Sequence, residues 1–107
     1  MAEPRSEATL IFGSRMRAVR NLIGISQMDL GEIAGIHFTN IAKIERGEAN
    51  PSLFTIIRIA SALEINPADL VTELHAEQVP ESNYQLPAKD YVQDKLNKRR
   101  EQKENPS

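Results

Sequence analysis

The chain has 107 residues, with 13 Lys and Arg against 15 Asp and Glu, no Trp, no Cys and a formal net charge of −2. This length fits one compact domain with some tail, and the absence of Cys excludes disulfides, thiolate zinc sites and a cysteine nucleophile. Two histidines far apart in the chain make no metal site, and no apolar run is long enough for a signal peptide or a membrane span.

Composition changes twice along the chain, which predicts three segments. Residues 1–8 are expected to form a flexible N-terminal arm. Residues 9–75 carry nearly all the large aliphatic side chains and are expected to form the domain, followed by a polar linker and tail over 76–107. Together with the exclusions above, this predicts a cytoplasmic protein that binds no metal, no cofactor and no membrane.

Apolar residues in the middle segment recur at helical spacing, and no stretch alternates as a half-buried strand would. We therefore predict an all-α fold of five short helices. The first covers 9–23, with Phe12, Met16, Val19 and Ile23 inward; the second covers 27–34, with Leu30 and Ile33 inward. The third runs from about 37 or 38 to 46, with Ile41 and Ile44 inward; the fourth covers 53–63, with Leu53, Ile56, Ile57, Ala60 and Leu63 inward. The fifth starts at Asn66-Pro67, with Leu70, Val71 and Leu74 inward.

The second and third predicted helices are joined by a very short connection. Ser26 is a good N-cap for the second helix, with Asp29 as its acidic partner, and Gly35 can end this helix in the left-handed conformation. Gly47 can end the third helix in the same way. Two short helices joined so closely must cross at a steep angle, and the second then protrudes as a rod about as wide as the major groove of DNA.

The stretch QMDLGEIAGIHFTNIAKIERGEANPSL resembles the helix-turn-helix domain of the Cro and phage-repressor type, the XRE-like family. The resemblance covers residues 12 to about 74. It depends on the joint order of several weak markers: Gln27, Gly35, Ile-Glu-Arg-Gly at 44–47, Asn-Pro at 50–51 and Ala-Leu-x-Ile-x-Pro at 62–67. It implies a compact lambda-repressor-like bundle with a polar C-terminal extension. It also implies a homodimer that binds double-stranded DNA at a near-palindromic site and regulates transcription, more often as a repressor.

The resemblance also implies roles for particular residues. Gln27 matches a phosphate contact at the start of the first motif helix, and Arg46 matches a backbone contact at the end of the recognition helix. Arg20 and Glu45 match a buried salt bridge. The residues that match base readers on the recognition helix are His37, Phe38, Thr39, Asn40 and Lys43.

Three residues depart from the family pattern. His37 stands where the family has Ser or Thr, and because His caps helices poorly, we expect Thr39 to cap instead and to shorten the helix by about a turn. Phe38 replaces a polar residue; it either contacts a thymine methyl or packs at the edge of the core. Gly31 replaces Ala, which should cost about 1 kcal/mol of helix propensity.

The tail leaves two interpretations open. A helix over 87–104 is compatible with the sequence, but its apolar residues are too few for an independent fold, and the composition favours a frayed or disordered end. The alternative is a dimerisation arm, a surface for a protein partner or a DNA-backbone contact through residues 98–100.

The net charge of −2 does not argue against a DNA partner once the charges are divided along the chain. Residues 9–47 hold five basic and three acidic side chains, so the predicted DNA-binding part is positive although the chain is not. The second hypothesis is a protein-interaction module, such as an antitoxin, that uses Phe38 and the tail as its contact surface. An enzyme is not expected, since the sequence has no phosphate loop and no Ser-His-acid arrangement.

Overall fold

The computed structural model describes residues 5–80 and 87–104, and within these ranges it is helical and contains no strand. This confirms the predicted all-α class. No helix within these two ranges is both long enough and apolar enough to cross a membrane. The elements in chain order are α1 (Glu7–Ile23), α2 (Gln27–Ala34), α3 (Phe38–Glu45), α4 (Leu53–Ala62), α5 (Pro67–Val71), a 3₁₀ turn (Ala76–Gln78) and α6 (Ala88–Glu104).

Helix α1 begins two residues before the predicted start. The Ser6 side chain accepts the Thr9 N–H at 3.1 Å, and the Thr9 hydroxyl accepts the Ser6 N–H at 2.9 Å. This reciprocal cap usually has Glu or Gln as its second member, so Thr9 gave no signal in the sequence. Helix α1 thus includes the last two residues of the predicted arm, and residues 1–4 lie outside the described residues.

Five helices pack around one aliphatic core. Helix α1 contacts α3 and α5, α2 contacts α3 and α4, and α4 contacts α5. Helix α3 is therefore held from behind by α1 and α2, while its outer face is open to solvent. The buried core residues are Phe12, Met16, Leu30, Ile41, Ile44, Ile59, Ala60, Leu63 and Leu70.

Several residues predicted to point inward are exposed, and Ile59, which was not predicted, is at the centre of the core. Helix α4 accounts for the errors at Leu53 and Ile57 and for the missed Ile59. It carries large apolar side chains on all sides, so hydrophobic periodicity cannot identify the side that is buried. The residues for which the inward prediction was wrong are Ile23, Ile33, Leu53, Ile57 and Val71.

Gly13 lies where α1 crosses the end of α3. A Cβ atom at this position would clash with the carbonyl oxygen of Ile44 and would lie 2.7 Å from that of Glu45. Both neighbours are backbone atoms and cannot move aside as a flexible side chain would. The absence of a side chain at Gly13 therefore sets how closely α1 supports α3.

We expect Gly13→Ala to lower the free energy of unfolding by about 1–3 kcal/mol, because it overpacks the α1–α3 contact. The sign of this change is diagnostic, because a Gly to Ala substitution inside a helix normally raises the free energy of unfolding by about 0.5–1 kcal/mol. Urea unfolding measures the change, and Ser14→Ala at the exposed next position is the matched control. A stabilised Gly13→Ala variant would contradict the close crossing.

The C-terminal segment contains a helix, α6, over nearly the range compatible with the sequence. It is supported by local contacts, including an ion pair of Lys98 with Asp94 at 3.2 Å and the Lys95 ammonium 5.7 Å from the centre of the Tyr91 ring. Its apolar residues Tyr91, Val92 and Leu96 are exposed. Residues 81–86 and 105–107 of the predicted linker and tail lie outside the described residues.

Candidate nucleic-acid interface

The turn between α2 and α3 closes directly onto α2. Gly35 has a φ of 71°, and the Ile36 N–H donates to the Gly31 carbonyl at 2.8 Å. A Cβ atom on Gly31 would clash with the Ile36 carbonyl oxygen and would lie 3.3 Å from the Phe38 nitrogen. Glycine at this position therefore allows the close approach that fixes where α3 begins.

His37 caps α3, so the expectation that Thr39 caps a shorter helix was wrong. The His37 Nδ1 accepts the Thr39 N–H at 3.2 Å and lies 2.7 Å from the Thr39 hydroxyl oxygen. The imidazole reaches the same backbone donor that a Ser or Thr oxygen would reach, and α3 keeps its full first turn. Nδ1 accepts this bond only while it carries no proton.

An aromatic pair stands at the start of α3. The rings of His37 and Phe38 are stacked, with their centroids 4.8 Å apart and their planes 26° apart. Phe38 remains 43% exposed, so it is not the buried packing residue of the second interpretation. The pair presents an apolar surface beside the turn, where Met28 and Ile36 also line a shallow groove.

The outward face of α3 is polar and continuous with this aromatic pair. Thr39, Asn40, Lys43 and Arg46 follow one another at helical spacing, and all four are exposed. Lys43 forms no ion pair with any residue of the described ranges. The face therefore offers the Asn40 amide and the Lys43 ammonium to a ligand, while the Thr39 hydroxyl lies against the His37 imidazole.

A charged network behind this face joins α1, α2 and α3. Arg20 donates from Nε to Glu45 Oε2 at 2.7 Å and from Nη2 to Glu45 Oε1 at 2.9 Å, and its Nη1 donates to the Ile25 carbonyl at 2.8 Å. The side chains of Arg20 and Glu45 are 10% and 2% exposed. Hydrogen bonding to Glu45 raises the pKa of the Arg20 guanidinium above its usual value despite burial.

Gln27 also contacts this network, a contact that the sequence did not predict. Its Nε2 donates to Glu45 Oε1 at 3.0 Å, so one of its two amide N–H groups points into the protein. A primary amide has two such donors. Gln27 is thus held in place at the start of α2 with a second N–H left for an outside partner.

Arg46 at the end of α3 is paired with an acidic residue. Its Nε donates to Glu48 Oε2 at 3.0 Å, and the other oxygen of that carboxylate accepts from Nη2 of Arg5 at 2.6 Å. Hydrogen bonds from Arg5 and then Arg46 hold the pKa of the Glu48 carboxyl below its usual value. Sequence reasoning missed Arg5 because it lies in the predicted arm, 43 residues away from Glu48.

The chain is similar in sequence to known proteins over its helix-turn-helix part. The family described as helix-turn-helix (HTH_3) matches residues 16–70. The control protein C.SmaI of Serratia marcescens is 40% identical over 62 residues, which are 58% of this chain and 74% of that protein.

Two solved structures match a similar share of the chain. The restriction-modification controller protein C.AhdI of Aeromonas hydrophila has 37% identity and a TM-score of 0.57 over 58% of this chain and 94% of its own. The P22 c2 repressor in complex with a synthetic operator has 31% identity and a TM-score of 0.56, with the same two coverages of 58% and 94%.

Proposed function

The chain belongs to the helix-turn-helix family HTH_3, and from this premise we propose how it holds DNA as a regulator of transcription. Helix α3 enters the major groove of double-stranded DNA, where its outward face reads base edges. The observation that carries this proposal is the exposed polar face of α3, held rigidly from behind by the buried Arg20–Glu45 pair. Such a rod fits the width of the groove.

Four of the five predicted base readers have a chemistry suited to the groove, and His37 supports one of them. Asn40 can donate to and accept from an adenine, and Lys43 can donate to the acceptors of a guanine. Thr39 supplies a hydroxyl, and Phe38, stacked on His37, presents an apolar ring to a thymine methyl. The free face of α3 supports these assignments.

Two further residues are proposed to contact the phosphate backbone. Gln27 stands at the start of α2, where unpaired backbone N–H groups already favour an anion, and it has a second amide donor. Arg46 stands beyond the last turn of α3. Contacts of this type fix the orientation of the protein on the duplex and carry no sequence information.

The protein is proposed to act as a homodimer through one face of α4. Leu53, Phe54 and Ile57 lie on that face and are 66%, 71% and 45% exposed. A two-fold axis through this face would bury each patch against its own copy. The two α3 helices would then read half-sites about 10 bp apart, or a multiple of that spacing, on one side of the duplex.

Three finer assignments complete the proposal. Repression is favoured because the P22 c2 protein, of the same fold and 31% identical, is named a repressor. The exposed apolar residues of α6, Tyr91, Val92 and Leu96, support a contact of the tail with a protein partner. A role on DNA also implies location in the cytoplasm.

Selection of bound sequences from random duplex DNA tests the function. We expect enrichment of a near-palindrome, with an affinity that falls as salt rises because phosphate contacts release counterions. The selection is run at two salt concentrations. Absence of enrichment at the lower one, where phosphate contacts are strongest, would refute DNA recognition and favour the protein-interaction module.

We expect Lys43→Ala to relax the preference at one base position of each half-site, at a cost of about 1–3 kcal/mol for the preferred base. The measurement is affinity for the selected site and for its single-base variants. Lys89→Ala on α6 removes the same charge away from α3 and should leave the preferences unchanged. A uniform loss across all sequences would instead assign Lys43 to a phosphate.

A further inference from the structure

The chain leaves α3 through a tightly closed turn that places Glu48 beside the recognition helix. Gly47 has a φ of 75°, its N–H donates to Ile44 O at 3.0 Å, and the Glu48 N–H donates to Lys43 O at 2.9 Å. These are the two hydrogen bonds of a Schellman motif. The backbone of Glu48 is therefore fixed at the end of the outward face of α3.

The same turn is tied to the start of α1. The Thr9 hydroxyl donates to the Gly47 carbonyl at 2.8 Å, which brings residue 5 to the end of α3. Arg5 and Arg46 then share the two oxygens of Glu48, at 2.6 and 3.0 Å. The side chains of Arg5 and Arg46 are about half exposed, while the Glu48 side chain between them is one-quarter exposed.

We propose that Glu48 takes the place of a DNA phosphate on Arg5 and Arg46 and so limits the affinity of the protein for DNA of any sequence. The proposal rests on the DNA-binding function above. A carboxylate and a phosphate are both recognised by the planar fork of a guanidinium. Exposed ion pairs are weak, so a phosphate can displace Glu48, but the displaced carboxylate then repels the backbone.

The competition between Glu48 and a DNA phosphate affects the part of the binding free energy that does not depend on sequence. Phosphate contacts supply essentially all of the non-specific affinity, whereas base contacts on α3 distinguish the operator. By cancelling phosphate contacts, Glu48 lowers the affinity for DNA of any sequence, so that binding to the operator depends more on the base contacts of α3. The relevant partner is the phosphodiester backbone, and Arg5 joins Arg46 as a potential backbone contact.

The test compares wild type with Glu48→Gln on a fluorescein-labelled duplex of random sequence, by anisotropy between about 50 and 200 mM salt. We expect tighter binding and a plot of log affinity against log salt that steepens by about 0.9 for each phosphate gained, up to about 1.8. Glu73→Gln, with the same charge change after α5, should behave as wild type. An unchanged slope in a folded Glu48→Gln variant overturns the proposal, as does weaker binding.

A second comparison tests whether the effect of Glu48→Gln depends on the guanidinium groups of Arg5 and Arg46. In a chain that already carries Arg5→Gln and Arg46→Gln, adding Glu48→Gln should leave the slope unchanged, because no freed guanidinium remains. An equal steepening in that background would mean a general charge effect and would overturn the proposal. Circular dichroism checks the fold, and Glu48→Ser serves if Glu48→Gln does not fold.

Failure of this inference is distinguishable from failure of the proposed function. If wild type enriches an operator and the Glu48→Gln slope does not change, only the role of Glu48 is wrong. If wild type enriches no operator and binds no random duplex at low salt, the DNA-binding function itself is wrong, and the role of Glu48 falls with it.

Discussion

Replacing Glu45 by Ala is expected to lower the free energy of unfolding by about 3–5 kcal/mol, since it leaves the buried Arg20 guanidinium without its charge partner. The loss should be larger than for an ordinary surface pair, because both side chains are nearly inaccessible to water. It also removes the acceptor of Gln27. Urea unfolding of the variant measures the loss.

A double-mutant cycle separates this pair from the rest of the core. Arg20→Leu in the Glu45→Ala background removes the stranded charge and should restore part of the lost stability. Glu32→Ala, an exposed carboxylate on α2, should change stability by no more than about 0.5 kcal/mol. Additive losses in the double variant would mean that the two side chains do not act as a pair.

Phe54→Glu is expected to separate the proposed dimer and to weaken binding to the full palindromic site by about 10²- to 10⁴-fold. The substitution puts two carboxylates at an apolar two-fold contact, where they repel each other and must be desolvated. Binding of one protomer to a single half-site should change little. Sedimentation measures the assembly state, and anisotropy measures both affinities.

Leu22→Glu is the matched control, because Leu22 is also an exposed apolar residue, 87% accessible, but lies on α1. It should leave the assembly state and the operator affinity as they are. A Phe54→Glu variant that remains dimeric would place the dimer contact elsewhere on the surface.

Local chemistry explains which parts of the fold the sequence could predict. Ser26 with Asp29 and the left-handed Gly35 act within a few residues, so the bounds of α2 were correct. The cap of α1 uses Thr9 in an uncommon role, since its hydroxyl accepts the Ser6 N–H. The buried side of α4 depends on which apolar face meets α2 and α5, and that is decided only by packing of the whole domain.

The residues of the candidate site likewise fall into those that the sequence could predict and those that it could not. The family resemblance located the residues of the α3 face, because these positions follow from spacing along one helix. It could not reveal that Gln27 donates to Glu45 or that Arg46 shares Glu48 with Arg5. These contacts join segments distant in sequence, and the close approach at Gly13 that supports them has no local signal.

The network of Arg20, Gln27 and Glu45 has a consequence for the DNA as well as for the protein. Because it ties three helices together before any ligand arrives, the recognition surface is preorganised and little ordering cost is incurred on binding. In the homodimer proposed above, neither protomer can reshape its own reading surface to follow the duplex. The duplex is then expected to bend or twist to match it, so that the deformability of base pairs that the protein never touches contributes to the choice of operator.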